Sequence, residues 1–252
     1  MRRKLWKPKD VEFIFSSYNS YEERLLKFLK IIPYNEVNKD VWSPELVSLF
    51  LDIGGLIDSL ARYILGDGKM GEERKIEILN RDGKKIEKEI RKLNIGDFER
   101  NLFDKLELKK HQVVLYIYSI YPDCLKTPYE NYKERGEWWH VYNKLKHNRL
   151  DNYENASLYN TIKSLSALFL LIASYEVKEL TDGLVRHEWM KTDWVPEEVY
   201  NQRIESPDLF WSDTVLFGAG HALKGKAFEN IEKIPAYIGS KKLSNFIGKY
   251  NR

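Results

Sequence analysis

From Asn155 to about Tyr175 the chain is apolar nearly all round, with Ile162, Leu165, Ala167, Leu168, Phe169, Leu170, Leu171 and Ile172 leaving no wide polar face. A helix of that kind must be enclosed by others. Its longest uncharged apolar run, Ser164 to Tyr175, falls short of the roughly 20 residues needed to cross a bilayer, so a protein core is the expected enclosure and no membrane partner is expected. Just upstream stands Trp138-Trp139-His140-Val141-Tyr142-Asn143-Lys144-Leu145-Lys146-His147-Asn148-Arg149. Wound as a helix, it carries Trp138, Val141 and Leu145 on one face and His140, Asn143 and His147 on nearly the opposite one. Only Asp151 to Asn155 separates the two segments, and a joint that short makes them antiparallel neighbours. The expected fold is therefore mainly α, an antiparallel helical bundle built on this pair.

The earlier chain supplies further helices. Ser20 to Ile32 spaces Tyr21, Leu25, Leu26, Phe28 and Leu29 helically and is stopped by Pro33. Ser43-Pro44-Glu45 reads as an N-cap followed by a first-turn proline, opening a stripe of Leu46, Leu49, Phe50, Ile53, Ile57, Leu60 and Ile64 that ends near Gly66. Gly54-Gly55 in its middle costs about 1 kcal/mol per glycine, which a closely packed neighbour would offset. Asp52 and Asp58, off the stripe, read as a solvated face.

Residues 67 to 99 form a charged, glycine-punctuated insertion. Lys75 to Leu79 alternates before the turn signal Asp82-Gly83, as in a surface β-hairpin. Ile86, Ile90 and Leu93 also fit a charged helix from Lys84 to Leu93. Both readings leave the segment facing solvent. Phe98 to Leu106 suggests another helical turn or two, and Val113 to Tyr121 has strand propensity. Beyond Leu180 periodicity fails, and Trp189, Trp194, Trp211 and several prolines mark an irregular, aromatic-rich C-terminal extension, with short helices near Pro196 to Gln202 and Ser240 to Tyr250. The domain boundaries expected are 1-180 for the bundle and 181-252 for the extension.

A content of 43% apolar and 31% charged residues describes a globular chain. A net charge of +3 permits a local nucleic-acid patch but is no global excess of the kind dedicated phosphate binders carry. The lone Cys124 excludes an intrachain disulfide and any multi-cysteine metal site; with no signal-peptide core after the basic N-terminus, a cytoplasmic location is expected. Gly218-Ala219-Gly220 with Gly225-Lys226 has neither dinucleotide-fold nor P-loop spacing. The histidines lack zinc-ligand spacing, and Cys124 near His111 reads as a buried thiol. No metal or cofactor is expected.

The chemistry concentrates at Trp138 to Arg149, where Lys144, Lys146 and Arg149 meet no acid between Trp138 and Asn148. The order Trp-Trp-x-x-Tyr-Asn-x-x-Lys-His-x-Arg, a short loop and an apolar helix opening near Asn155-Ala156 resembles the HEPN superfamily over roughly residues 128 to 175. That resemblance implies an all-α bundle of four or more helices, commonly a homodimer. In many members it implies a metal-independent RNase of toxin-antitoxin, anti-phage or RNA-processing systems, so RNA and an antitoxin protein are the partners expected. Active members carry Arg-x(4-6)-His, often Arg-Asn-x-x-x-His. Asn143 and His147 match the Asn-x-x-x-His part, while Tyr142 stands where the motif has Arg.

The resemblance makes Asn143 and His147 the catalytic candidates, His147 moving a proton at the 2′-hydroxyl or leaving oxygen. Lys146 and Arg149 are candidates for the missing positive charge. Tyr142, His140 and Arg135 are auxiliary candidates, since Arg135 and His140 also satisfy Arg-x4-His by spacing. The alternative function is a catalytically silent bundle acting through dimerisation or protein contact, in which Asn143, His147 and Arg149 hydrogen-bond the loop or a partner chain to hold the hairpin. A functional His147 lines a cleft with Asn143 and basic groups, whereas this alternative buries it against the chain.

Overall fold

The computed structural model describes residues 8–68, 73–111, 113–115, 125–179, 209–213 and 216–222. It is mainly helical. The long helices are α1 (Pro8–Leu29), α2 (Pro44–Leu65), α4 (Trp138–His147) and α5 (Leu158–Glu179); α3 (Ile95–Phe98) is a single turn that runs into a π-helical turn, Glu99–Phe103. The insertion pairs β1 (Lys75–Leu79) with β2 (Lys85–Glu89). A second, four-stranded sheet has the order β4-β3-β6-β5, with β3 at Val113–Leu115, β4 at Leu125–Lys126, β5 at Leu209–Asp213 and β6 at Phe217–Ala222.

Helix α5 is the centre. It touches α1, α2, α4 and β6, and every side chain from Asn160 to Ser174 is buried. Phe169 stacks on Phe217 of β6 at 5.9 Å between ring centroids and meets Tyr18 of α1 at 6.3 Å. Helix α2 begins as its sequence dictates: the Ser43 hydroxyl accepts a hydrogen bond from Leu46 N at 3.1 Å, Pro44 occupies the first turn, and Gly66 ends the helix.

Helix α1 starts well before Ser20. Its inward residues Ile14, Phe15, Tyr18 and Leu25 are buried and follow helical spacing, so the stripe already exists in the first turns; it is diluted in sequence by Phe13, which is exposed. Across the helix pair, Arg24 donates to Glu45 and to Asp52, each at 2.8 Å. Asp52 is thus exposed but paired. Asp58 departs further from a solvated reading, because it is mostly covered and accepts from Arg62 at 3.1 Å.

The hairpin, rather than the charged helix, is what forms at 75–89. Asn80 Oδ1 accepts from Asp82 N and Lys84 N, and Gly83 takes a φ of +73°, the conformation a tight turn asks of glycine. One face does not meet solvent as expected: Ile78, Ile90 and Leu93 are buried. Two polar clamps hold it. Arg62 donates to the carbonyls of Ile90 at 2.6 Å and Leu93 at 2.8 Å, while the Asn101 amide pairs with both N–H and C=O of Leu79 as a neighbouring strand would. Asp97, also buried, accepts from Lys88 and Arg100.

The extension is not wholly irregular. Residues 209–213 and 217–222 form the antiparallel pair β5-β6, and Val114 and Leu115 of β3 register with Gly218 and Phe217. Cys124, residues 116–121 of the expected strand, the expected short helices at 196–202 and 240–250, Gly225-Lys226 and the rest of 181–252 lie outside the described residues. Among the described residues no helix is long and apolar enough to cross a membrane.

Candidate functional site

Helix α4 is packed on two sides, against α2 and α5. Its buried face is accordingly wider than Trp138, Val141 and Leu145 and takes in Trp139 and Tyr142. Trp138 donates its indole N–H to Pro128 O at 2.6 Å and meets Tyr129, Tyr132 and Trp139 within 6.0 Å, fixing the start of the helix in an aromatic cluster. Tyr129 in turn donates to Ala167 O of α5 at 3.1 Å.

Tyr142, the residue in the place of the motif's arginine, belongs to this packing. Its ring lies directly on Gly54 of α2: a Cβ at position 54 would come within 2.2 Å of Tyr142 Cδ2. Gly54 is the close-approach residue that the Gly-Gly pair anticipated. Burial, with Asp58 adding to it, pushes the Tyr142 phenol up to about 12, so it stays neutral in the physiological range. Tyr142 is therefore withdrawn from the polar face.

That face opens progressively toward the C-terminus of α4. His140 is part-buried, with an enclosed Nε2 that has no hydrogen-bond partner among the described residues. Asn143 is part-exposed, and Lys144, Lys146 and His147 are exposed. His140 and His147 share a stripe but stand about 10 Å apart along the axis, so Asn143 and His147, one turn apart, form the accessible pair. Arg149 follows, exposed, beyond the C-cap Asn148. Among the described residues no hydrogen bond or ion pair engages the side chains of Asn143, Lys144, His147 or Arg149. Among the described residues the joint is closed by Asn148, Asn152 and Asn155, with Asn152 Nδ2 donating to Asn148 O at 2.8 Å and Asn155 Nδ2 to Asn152 O at 3.2 Å.

Two of the other candidates are changed by their surroundings. Lys146 leans over the Tyr142 ring at 5.5 Å and reaches Asp58 at 3.8 Å, so part of its charge is answered within the fold. Arg135 is exposed in the connection before α4, and Gly136 at φ +91° separates it from the helix; Arg135 and His140 are not on one continuous helix. Among the described residues Lys144 and Arg149 are the cations near His147 in the chain that no acid answers.

The sequence reading overlooks a buried polar knot at the start of α4. Lys163, only 6% exposed on α5, donates to Glu137 at 2.5 Å and to Tyr159 at 3.2 Å. Burial pulls the Lys163 ammonium down, yet Glu137 and Tyr159 together outweigh it and the net shift is upward. Asn160 beside it donates to Gly136 O and Asn155 O. The available signal was that Lys163 is the single charged residue between Leu158 and Tyr175. A lysine held charged by a carboxylate is a strut between α4 and α5, not a base. Among the described residues no group of three or more His, Cys, Asp or Glu is placed to hold a metal ion.

The fold and site together define a mainly helical protein that presents an amide, an imidazole and cations on the outer end of one helix. Comparison with protein-family models, curated proteins and solved structures finds no match.

Proposed function

We propose that this chain acts on RNA, as a metal-independent endoribonuclease or RNA-binding protein of the HEPN type, in a toxin-antitoxin or anti-phage defence system. The observation that supports it is the accessible, unengaged Asn143-His147 pair with Lys144 and Arg149 beside it. One turn of helix lets an amide and an imidazole address the same phosphate. In this reading His147 moves the proton at the 2′-hydroxyl or the leaving oxygen, Asn143 orients the phosphate or the imidazole, and Arg149, with Lys146 as a weaker contributor, offsets the developing charge. Two copies joined about a two-fold axis would double that positive field on one RNA backbone, so the acting form is a homodimer. Sedimentation at tens of micromolar, a range where weak interfaces assemble, should give a dimer; monomer alone removes that part.

The burial of Tyr142 favours a second reading. With no guanidinium at that position the bundle is catalytically silent and works by dimerisation or protein contact. The test that separates them is cleavage of a mixed RNA pool in EDTA. The wild type should cut, and His147→Ala should lose roughly 100-fold or more, the scale of one general acid-base group. No cutting by wild type, or equal cutting by the variant, removes the endoribonuclease reading, and absence of RNA binding as well leaves the silent bundle.

A further inference from the structure

Resting on the RNA reading, we infer that Trp42 is a stacking platform for an unpaired base, so that the RNA bound is single-stranded and runs from the basic end of α4 across the joint between α4 and α5. Trp138 and Trp139 are buried, whereas Trp42 keeps 41% of its surface in solvent. Its position is fixed from two sides. The Trp42 ring meets Tyr153 with centroids 4.6 Å apart and planes at 60°. On its backbone side, Leu158 N donates to Val41 O and Tyr159 N to Lys39 O, both at 2.8 Å, pinning the segment before α2 to the first turn of α5.

Tyr153 is tied in turn to the candidate site. Asn148 N closes on Lys144 O at 2.8 Å, Asn152 N on Arg149 O at 3.3 Å, and Ala156 N on Tyr153 O at 3.1 Å, so the joint is a run of hydrogen-bonded turns carrying Arg149, Leu150 and Tyr153. His147, Arg149 and Trp42 therefore occupy the same end of the bundle, on a backbone that does not have to be ordered by the ligand.

The charge pattern assigns the two halves of a nucleotide. Among the described residues Lys144 and Arg149 have no acid partner; Asp40 lies two residues before Trp42 and Glu154 next to Tyr153, while Asp151 accepts from the Asn148 amide at the end of α4. Phosphate is drawn to Lys144 and Arg149 and repelled by Asp40 and Glu154 near Trp42, which leaves the base, uncharged and flat, as the part that fits over Trp42. A duplex offers no free base face for this, whereas a single strand does. Leu150 in the joint and Val37 before α2 are exposed as well, so a protein contact is the rival occupant that the test must separate from RNA.

The test measures binding of labelled oligouridine and of an RNA duplex of equal length by fluorescence anisotropy. It uses the full chain in a His147→Ala background so that neither probe is cut. Oligouridine should bind more tightly than the duplex. Trp42→Leu keeps apolar contact with Tyr153 but cannot stack, and should weaken oligouridine binding about tenfold with the salt dependence unchanged; Trp42→Phe should stay near the parent. Arg149→Gln should instead lower the salt slope by about one. Trp42→Leu binding as well as the parent, or duplex preferred over single strand, overturns the inference even where RNA binding stands. So does loss of self-association in Trp42→Leu with RNA binding untouched, which would make Trp42 a protein contact. If the parent binds neither probe and the wild type cuts nothing, the RNA reading itself has failed.

Discussion

Leu168→Asp will not fold at temperatures where the wild type is fully native. Leu168 is wholly buried at the middle of α5, between Ala167, whose carbonyl takes the Tyr129 hydroxyl, and Phe169, which stacks on Phe217. The substitution removes a leucine from a closed core, a loss of about 2–5 kcal/mol by itself. It also places a carboxylate where water is excluded, which costs several kcal/mol more whether the group ionises or takes up a proton. Set against a typical domain stability of about 5–15 kcal/mol, the sum removes most or all of it. A circular dichroism melt with the midpoint of the wild type would show that α5 is not the core.

The second large effect is a contrast between neighbouring glycines. Gly54→Ala should destabilise by about 2 kcal/mol, whereas Gly55→Ala should be neutral or stabilise by up to about 1 kcal/mol. Both gain helix propensity. Only position 54 has a neighbour: the new Cβ would lie 2.2, 2.5 and 2.7 Å from Cδ2, Cε2 and Cγ of Tyr142. Because Cγ is among them, the ring must move as a body with α4, and overpacking of that kind costs about 1–3 kcal/mol or more. At Gly55 nothing lies within 4 Å. In a Tyr142→Ala background the cost at position 54 should vanish, since the cavity accepts the methyl. Denaturant melts of the four chains give the coupling, and equal effects at 54 and 55 would remove the contact.

These two sites also mark what could be read from sequence. The identity of α5 was legible because no soluble surface helix carries Ile162 to Ile172. The bounds of α2 were legible because Ser43-Pro44 and Gly66 are local signals that act within one turn. The hairpin turn was legible from Asp82-Gly83, whereas the contacts that hold the pair, Asn101 on Leu79 and Arg62 on Ile90 and Leu93, come from residues distant in sequence.

What was not legible depends on partners distant in sequence. A glycine announces that something comes close, but not that it is Tyr142, and Tyr142 in a polar motif does not announce that it faces α2. Asp58 reads as a surface acid until Arg62 and Lys146 are seen around it. Pairing of β3 with β6 joins segments about a hundred residues apart by backbone hydrogen bonds, which leave little trace in side-chain pattern. At the candidate site, the accessible Asn143-His147 pair follows from helical spacing, while Arg135 is set apart by where α4 begins and His140 by its partial burial.

The hydrogen bond from Leu216 N to the buried Glu22 carboxylate, 2.9 Å long, closes a loop of 194 residues. A chain emerging from the ribosome at roughly 5–20 residues per second presents α1 many seconds before that amide exists. Through that interval the α1–α5 interface lacks the cover that β6 brings, and Phe169 lacks the ring of Phe217. The helices can pair through contacts close in sequence, whereas this closure is among the longest-range contacts of the described residues, a kind that forms slowly. A chain truncated before residue 216 should therefore bind an apolar dye more strongly than the full chain, because Phe169 then lacks its cover from Phe217.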